Sequence, residues 1–248
     1  MIKLVSVNME GMRHTDRILG LLEREQPECV ALQEAPESFA ITLTKLGYHT
    51  AFAKMQSRKG EVLETDEGIM IASKYPFIHH TEYYHHMATN EVPYLYEGWI
   101  MDSSFPYLFA TITLPNQKTI SIATTHAPVT NDGHSDNNQT TAIMRLLDII
   151  GNEIPHVLCG DFNMPRGVNT LYQNLMAHYT DTIPPEYTSS LDRNLHRSGK
   201  STTLNAPIFD IYMVDYIFTK APYHADTVRL EFGVSDHAAV IGNISSNL

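Results

Sequence analysis

His156-Val-Leu-Cys-Gly-Asp-Phe-Asn-Met-Pro165 is the stretch on which the reading of this chain turns. Val157-Leu-Cys159 is a short apolar run of the kind that forms a buried strand. Gly160 ends it, and Asp161 and Asn163 follow with Phe162 between them. Pro165 then prevents the strand from continuing in a hydrogen-bonded ladder. A carboxylate and a carboxamide are thus predicted at the mouth of a sheet, where open α/β sheets place their ligands. Alone, Gly-Asp-x-Asn is also an ordinary turn between strands, so its meaning depends on what the rest of the chain brings to it.

The totals bound that company. The 248 residues fit one large domain spanning 1–248, with 43% hydrophobic and 18% charged residues, enough apolar matter for a real core. A formal net charge of −11 disfavours unspecific binding to polyphosphate backbones. No run of about 18 apolar residues exists, so no membrane span is expected. Met1-Ile-Lys-Leu-Val-Ser-Val7 is too short for a signal peptide and reads as the first strand. Cys29 and Cys159 both sit in apolar runs, where a thiol acts as a small hydrophobe. That usage points to a reducing, cytoplasmic setting.

Working outward, Leu4–Val7 leads into the polar turn Asn8-Met-Glu-Gly11. Ile18, Leu19, Leu21 and Leu22 recur at helical spacing, predicting a helix over 14–25. Cys29–Leu32 is a second buried strand ending in Gln33-Glu34, and Ser38–Leu46 a second helix stopped by Gly47. Tyr48–Ala53 reads as a strand, Gln56–Asp66 as a polar loop, and Glu67–Ala72 as a strand. Residues 79–97, rich in His and Tyr, read as irregular. Leu108–Leu114 and Thr119–Thr125 are strands joined by Pro115-Asn116, the second delivering His126. A helix over Gln139–Ile150, a short one over Asn169–Ala177 and a polar stretch 180–207 follow. Strands at 211–218, 227–231 and 238–244 complete the pattern, with Ser235-Asp-His237 as a turn before the last.

Five strand ends therefore carry polar groups suited to catalysis: Asn8, Glu34, His126, Asp161 with Asn163, and Asp236 with His237. Asp215 lies among apolar and aromatic neighbours, where a charge is costly unless paired or metal-bound. Phosphoester hydrolysis uses such a set. Hard oxygen ligands, few in number, suit Mg²⁺. Amides hold phosphate oxygens without adding repulsive charge, and a histidine–carboxylate pair moves a proton near neutral pH.

The ordered series Ser6-Val-Asn8-x-x-Gly11, Leu32-Gln-Glu34, Thr125-His126, Gly160-Asp-Phe-Asn163, Val214-Asp-Tyr-Ile-Phe218 and Ser235-Asp-His237 resembles the endonuclease/exonuclease/phosphatase superfamily, from residue 6 to 244. The resemblance implies a four-layer α/β sandwich, two mixed sheets face to face with helices outside. It implies Glu34 as the main Mg²⁺ ligand, with Mn²⁺ able to substitute, Asn8 beside it and Asp236 as a further metal-side carboxylate. Asp161 resembles the residue that positions or deprotonates the attacking water, and Asn163 a phosphate-oxygen ligand. His237 resembles the histidine at the scissile phosphate, oriented by Asp215. His126 resembles the second histidine of the deoxyribonuclease I and sphingomyelinase branches, and Glu67 the carboxylate paired with it. Glu10 stands where repair nucleases often carry Asp.

A nucleic acid or nucleotide is the expected substrate class, the alternative being a phospholipid or sugar-phosphate head group. A catalytically silent binding module fits less well, because it has no need of Asp161, Asp215 and His237 together. His79, His80, His85 and His86 read as solvated. Arg193, His196, Arg197 and Lys200 form a rare positive cluster, either a phosphate-reading loop or a solvated one, and with so few clustered cations in a chain of charge −11 a short or single-stranded nucleic acid is the expected partner. Nothing in the pattern calls for an obligate protein partner.

Overall fold

The computed structural model of the protein describes residues 1–59, 64–85, 94–95, 103–196 and 208–247. Two mixed sheets dominate. The first has the order β12 (Tyr223–Glu231), β13 (Ala239–Ser246), β1 (Ile2–Asn8), β2 (Cys29–Pro36), β4 (Glu64–Ser73), β3 (His49–Lys59) and β6 (Tyr94–Leu95). The second runs β10 (Thr180–Asp181), β11 (Asp215–Thr219), β9 (Val157–Asp161), β8 (Thr119–His126), β7 (Phe105–Thr113) and β5 (Phe77–His85). Parallel pairing of β1 with β2 and of β8 with β9 sets the strand ends that matter side by side.

Continuous apolar runs become central strands here because both faces of the sheet are covered. In β1, Ile2 and Leu4 point into the core between the sheets, while Val5 and Val7 pack under helices. The same alternation splits Cys29 and Ala31 from Val30 and Leu32 in β2, and Ile69 and Ile71 from Met70 and Ala72 in β4. Helix α1 (Thr15–Glu25) closes the outer face with Ile18, Leu21 and Leu22, and α2 (Phe39–Lys45) with Phe39 and Leu43. On the far side, α3 (Asn137–Asn152) sets Ala142, Ile143, Leu146 and Ile150 against the second sheet. Asp136 caps α3, its carboxylate accepting from Gln139 N at 2.7 Å. Helix, sheet, sheet, helix is the four-layer α/β sandwich that the resemblance implies.

The differences from expectation have physical reasons. Gln56–Asp66 is not a loop throughout: β3 and β4 pair from His49 with Ser73 out to Lys59 with Glu64. Nor is the His/Tyr segment irregular at its start, since Phe77–His85 is an edge strand. Ile78, His79, His80 and Glu82 are exposed and only Tyr84 is buried, so the strand lacks the apolar alternation that marks a half-buried one. The short helix is α4 (Tyr172–Met176), trimmed at both ends. Ile211 closes a helical turn, α5 (Ile208–Ile211), so Asp215 opens strand β11 rather than lying within it. His86, Tyr96, Trp99, Arg197 and Lys200 lie outside the described residues.

Candidate active site

Register places three site residues in a row. Asp161 at the end of β9 pairs with His126 of parallel β8 on one side and with Asp215 of antiparallel β11 on the other. Laterally paired residues share a face of a sheet. That face is the inner one: two residues before His126, Thr124 accepts a hydrogen bond from Gln33 of the opposite sheet at 2.9 Å. Gly160 makes the row possible. Its φ is +139°, and an added Cβ would stand 2.0 Å from Thr125 O.

The first sheet supplies the other half. Asn8 ends β1, and its Nδ2 donates to Asp161 Oδ2 at 3.1 Å and to Glu34 Oε1 at 3.2 Å. One carboxamide thus ties the two sheets together beneath the cleft. Its Oδ1 accepts from Glu10 N at 3.0 Å. Asn8 thus stands beside Glu34, as expected, and faces both carboxylates as a donor that positions them. Glu34 is thrust out by a break in the β2–β4 register between Leu32 and Ala35. Glu10, Glu34 and Asn163 all adopt left-handed backbone, with φ of 50°, 49° and 50°. Such conformations in residues with side chains persist where the surroundings over-determine them, often at functional sites.

Asp161 is nearly enclosed and held on both oxygens. Oδ1 accepts from Asn163 N at 3.0 Å; Oδ2 lies 3.5 Å from His126 Nε2 and 3.8 Å from His237 Nδ1. Asn163 Nδ2 reaches Ala127 O at 2.9 Å and His126 Nε2 at 3.2 Å. Both its hydrogens are directed within the protein, so in this arrangement Asn163 holds His126 rather than presenting free donors to a phosphate.

Asp215 and His237 form a buried pair with Nδ1 to Oδ2 at 2.7 Å. Ser190 Oγ donates to the same Oδ2 at 2.6 Å while accepting from Val214 N at 3.1 Å and Asp215 N at 3.2 Å. Burial alone would lower the His237 pKa, but the charges of Asp215, Asp161 and Asp236 outweigh it and lift it well above 6.5. Burial also raises the Asp215 carboxyl, His237 opposing and Asp161 adding to it. The pair therefore holds its shared proton across the neutral range.

At the open side, Asp236 Oδ1 accepts from Ser235 Oγ at 3.1 Å. Burial pushes its carboxyl up to about 6; His237 opposes this, and Glu10 and Glu34 reinforce it. Donor atoms of Glu10, His14 and Asp236 lie within 4.8 Å of one another, as do those of His196, Asp236 and His237. The carboxylates of Glu10, Glu34 and Asp236 fit a divalent cation by the chemistry of their oxygen donors.

Glu67 does not join His126. Its Oε1 accepts from Gln56 Nε2 at 2.6 Å, and His126 Nδ1 has no hydrogen-bond partner among the described residues. The expected pairing is corrected: Glu67 sits opposite Gln56 in the β3–β4 hairpin, which fixes it there. Ser190 and His14 are the site residues that motif reading passes over. Glu10 and His196 carry a signal, the first by its place in the Asn8–Gly11 turn and the second by the positive cluster.

A family model described as the Endonuclease/Exonuclease/phosphatase family matches residues 5–237. No curated protein sequence matches significantly. Among solved structures, an endonuclease/exonuclease/phosphatase family protein from Leptotrichia buccalis is 16% identical with a TM-score of 0.70, covering 99% of this chain and 100% of that one. Danio rerio TDP2, complexed with single strand DNA product, is 18% identical with a TM-score of 0.65, covering 99% of each chain. Sphingomyelinase C from Streptomyces griseocarneus is 16% identical with a TM-score of 0.60, covering 97% of this chain and 98% of that one.

Proposed function

Because the chain belongs to the endonuclease/exonuclease/phosphatase family, whose members are metal-dependent phosphoester hydrolases, we propose that it is a Mg²⁺-dependent phosphodiesterase acting on a nucleic acid or nucleotide through an activated water. The observation that carries this reading is the meeting of Asp161 and Asp215 of the second sheet with His237 of the first, beside the Glu10, Glu34 and Asp236 carboxylates.

Bound at those carboxylates, a divalent cation would neutralise charge developing on the phosphate oxygens. Glu34 and Asp236 are the proposed ligands, Asn8 orienting Glu34. Asp161, its oxygens fixed by Asn163 N and Asn8 Nδ2, takes a proton from the attacking water. His237 is protonated in the neutral range, and Asp215 fixes its ring through Nδ1. The second ring N–H is then free to donate to an oxygen of the scissile phosphate. His126, held by Asn163, faces the same Asp161 oxygen and helps to position that carboxylate.

The single-stranded product bound by the TDP2 neighbour supports the nucleic-acid arm. Local charge supports a short or small substrate: Arg193 is paired with Asp210 at 3.2 Å and stacks on Phe209. No helix among the described residues is long and apolar enough to cross a membrane. The free, buried Cys29 and Cys159 support a reducing cytoplasm.

The test is a substrate panel with Mg²⁺: bis-p-nitrophenyl phosphate, single- and double-stranded DNA, RNA, sphingomyelin and inositol phosphates. Hydrolysis of the first two or of RNA, lost in EDTA and cut by orders of magnitude in Glu34→Ala with the fold intact, is the expected result. Full activity in EDTA would falsify the metal assignment, and exclusive turnover of sphingomyelin or inositol phosphates the substrate class.

A further inference from the structure

Asp192 is a buried carboxylate that the proposed reaction does not use. A buried charge is costly unless hydrogen bonds satisfy it. Asp192 finds them within two turns of the chain. Oδ1 accepts from Asn194 N at 2.8 Å and Leu195 N at 3.2 Å, and Oδ2 accepts from Gly233 N at 2.6 Å. Its backbone N–H donates to Asp236 O at 2.7 Å, and its carbonyl accepts from His196 N at 2.8 Å. One residue earlier, Leu191 forms an antiparallel bridge with His237. The turn Asp192–His196 is thereby hung on the turn that carries Asp236 and His237, and its last residue has a fixed place beside the cleft.

That residue is a half-buried histidine. The His196 ring lies 6.4 Å from the His237 ring, centroid to centroid, and one nitrogen of each falls within 4.8 Å of the other and of an Asp236 oxygen. Two N–H donors that reach different oxygens of one phosphate at ~2.9 Å stand on the order of 4–6 Å apart. His237 gives Nδ1 to Asp215 and keeps one nitrogen for such a contact. His196 also meets Phe209 of α5 edge to face, at 5.6 Å and 79°. Phe209 is in turn covered by the Arg193 guanidinium at 4.9 Å, itself held by Asp210 at 3.2 Å. The imidazole is thus oriented by packing before any substrate arrives.

The geometry points to His196 as a second imidazole contact on the scissile phosphate, donating a ring N–H to an oxygen beside the one that His237 holds. Asp192 and Phe209 are then positioning residues: the first sets the backbone of the turn, the second the plane of the ring. Packing against Phe209 alone asks only for a ring, whereas a phosphate contact asks for the N–H. The inference deepens the proposed phosphodiesterase reading and rests on it for the substrate. Phosphate binding is measurable without turnover, so the two can fail separately.

The full chain with isotope-labelled histidine is titrated with inorganic phosphate in the presence of Mg²⁺, and its ring resonances are followed by NMR. Phosphate should shift the His196 and His237 signals together, with one Kd. A hydrogen bond to a charged group corresponds to at least about a tenfold change in binding. His196→Ala and His196→Phe should therefore weaken phosphate at least tenfold and lower kcat/KM on bis-p-nitrophenyl phosphate by a similar factor. His196→Asn and His196→Gln place an amide N–H near one ring nitrogen or the other, and one of the two should recover most of the affinity. The surface control His178→Ala should bind phosphate as wild type does. Unchanged phosphate affinity in His196→Ala would overturn the contact. So would recovery in His196→Phe but in neither amide variant, which would leave His196 a packing residue only. A loss seen with a single-stranded oligonucleotide and not with bis-p-nitrophenyl phosphate would move the contact off the scissile phosphate and overturn it as well. Phosphate binding through His196 without hydrolysis of any phosphodiester would count against the phosphodiesterase reading alone.

Discussion

Ser190→Ala is the perturbation that weighs most on this site relative to its size. It removes one oxygen from a residue with no solvent exposure. That oxygen satisfies the backbone N–H groups of Val214 and Asp215 and donates to Asp215 Oδ2 at 2.6 Å. A hydrogen bond to a charged group contributes ~1.5–3 kcal/mol, and each buried donor left unsatisfied costs ~1–3 kcal/mol. Taking the low ends, because backbone can relax toward the small cavity, the expected destabilisation is about 3–4 kcal/mol. Asp215 Oδ1 lacks a partner among the described residues, so no second donor there stands ready to hold the carboxylate. The His237 ring then loses its fixed orientation, and kcat should fall ~10–100-fold, equivalent to ~1.4–2.8 kcal/mol of transition-state stabilisation. KM should change little, because Ser190 contacts the positioning carboxylate rather than substrate. The assay pairs urea unfolding with Mg²⁺-dependent hydrolysis of bis-p-nitrophenyl phosphate. A variant within about 0.5 kcal/mol of wild type and with unchanged kcat would refute this account of how Asp215 is held.

Since Glu67 bonds Gln56 and not His126, the rate losses of His126→Ala and Glu67→Ala should add in the double variant; a double variant no worse than either single would restore the pairing. Burial depresses the His156 pKa to about 4. A histidine depressed in the folded state contributes stability that is present above 6.5 and is lost as pH falls toward 4. Wild type should therefore lose ~2 kcal/mol more than His156→Gln between pH 7.5 and 5, from ~1.36 kcal/mol per unit; parallel urea-midpoint curves would contradict this. With −11 formal charge and Arg193 paired to Asp210, an oligonucleotide should be cleaved in preference to a plasmid near 150 mM salt. Efficient plasmid nicking with a steep salt slope would show a basic surface that the described residues do not present.

The legible part of this molecule was its inside. Val5, Val30, Met70 and Leu158 lie on strands covered on both faces, so their runs announced themselves and their ends marked the cleft. β5 escaped because an edge strand with exposed His79, His80 and Glu82 need not alternate. Asp215 was placed within a strand because Ile211-Tyr-Met-Val214 is apolar, and periodicity in so short a run does not separate a helical turn from a strand. Ser190 had no signature: its role comes from a loop returning to β11 across 25 residues. The Glu67–His126 pairing failed for a similar reason, since a motif names residues but not the hydrogen bond that Gln56 takes first.

The Asn8–Asp161 hydrogen bond makes the cleft a seam between two independently hydrogen-bonded sheets. The two sheets touch through side chains, so their alignment is set by packing volume and not by backbone ladders. Catalysis then becomes a gauge of that alignment. A methyl group lost at Ile71 or Ile122, far from any phosphate, lets one sheet settle against the other and carries Glu34 away from Asp161. Lesions of the interior should therefore surface first as slow turnover in protein that still melts cooperatively. Engineers seeking new substrates would do best to leave the seam untouched and work from its rim.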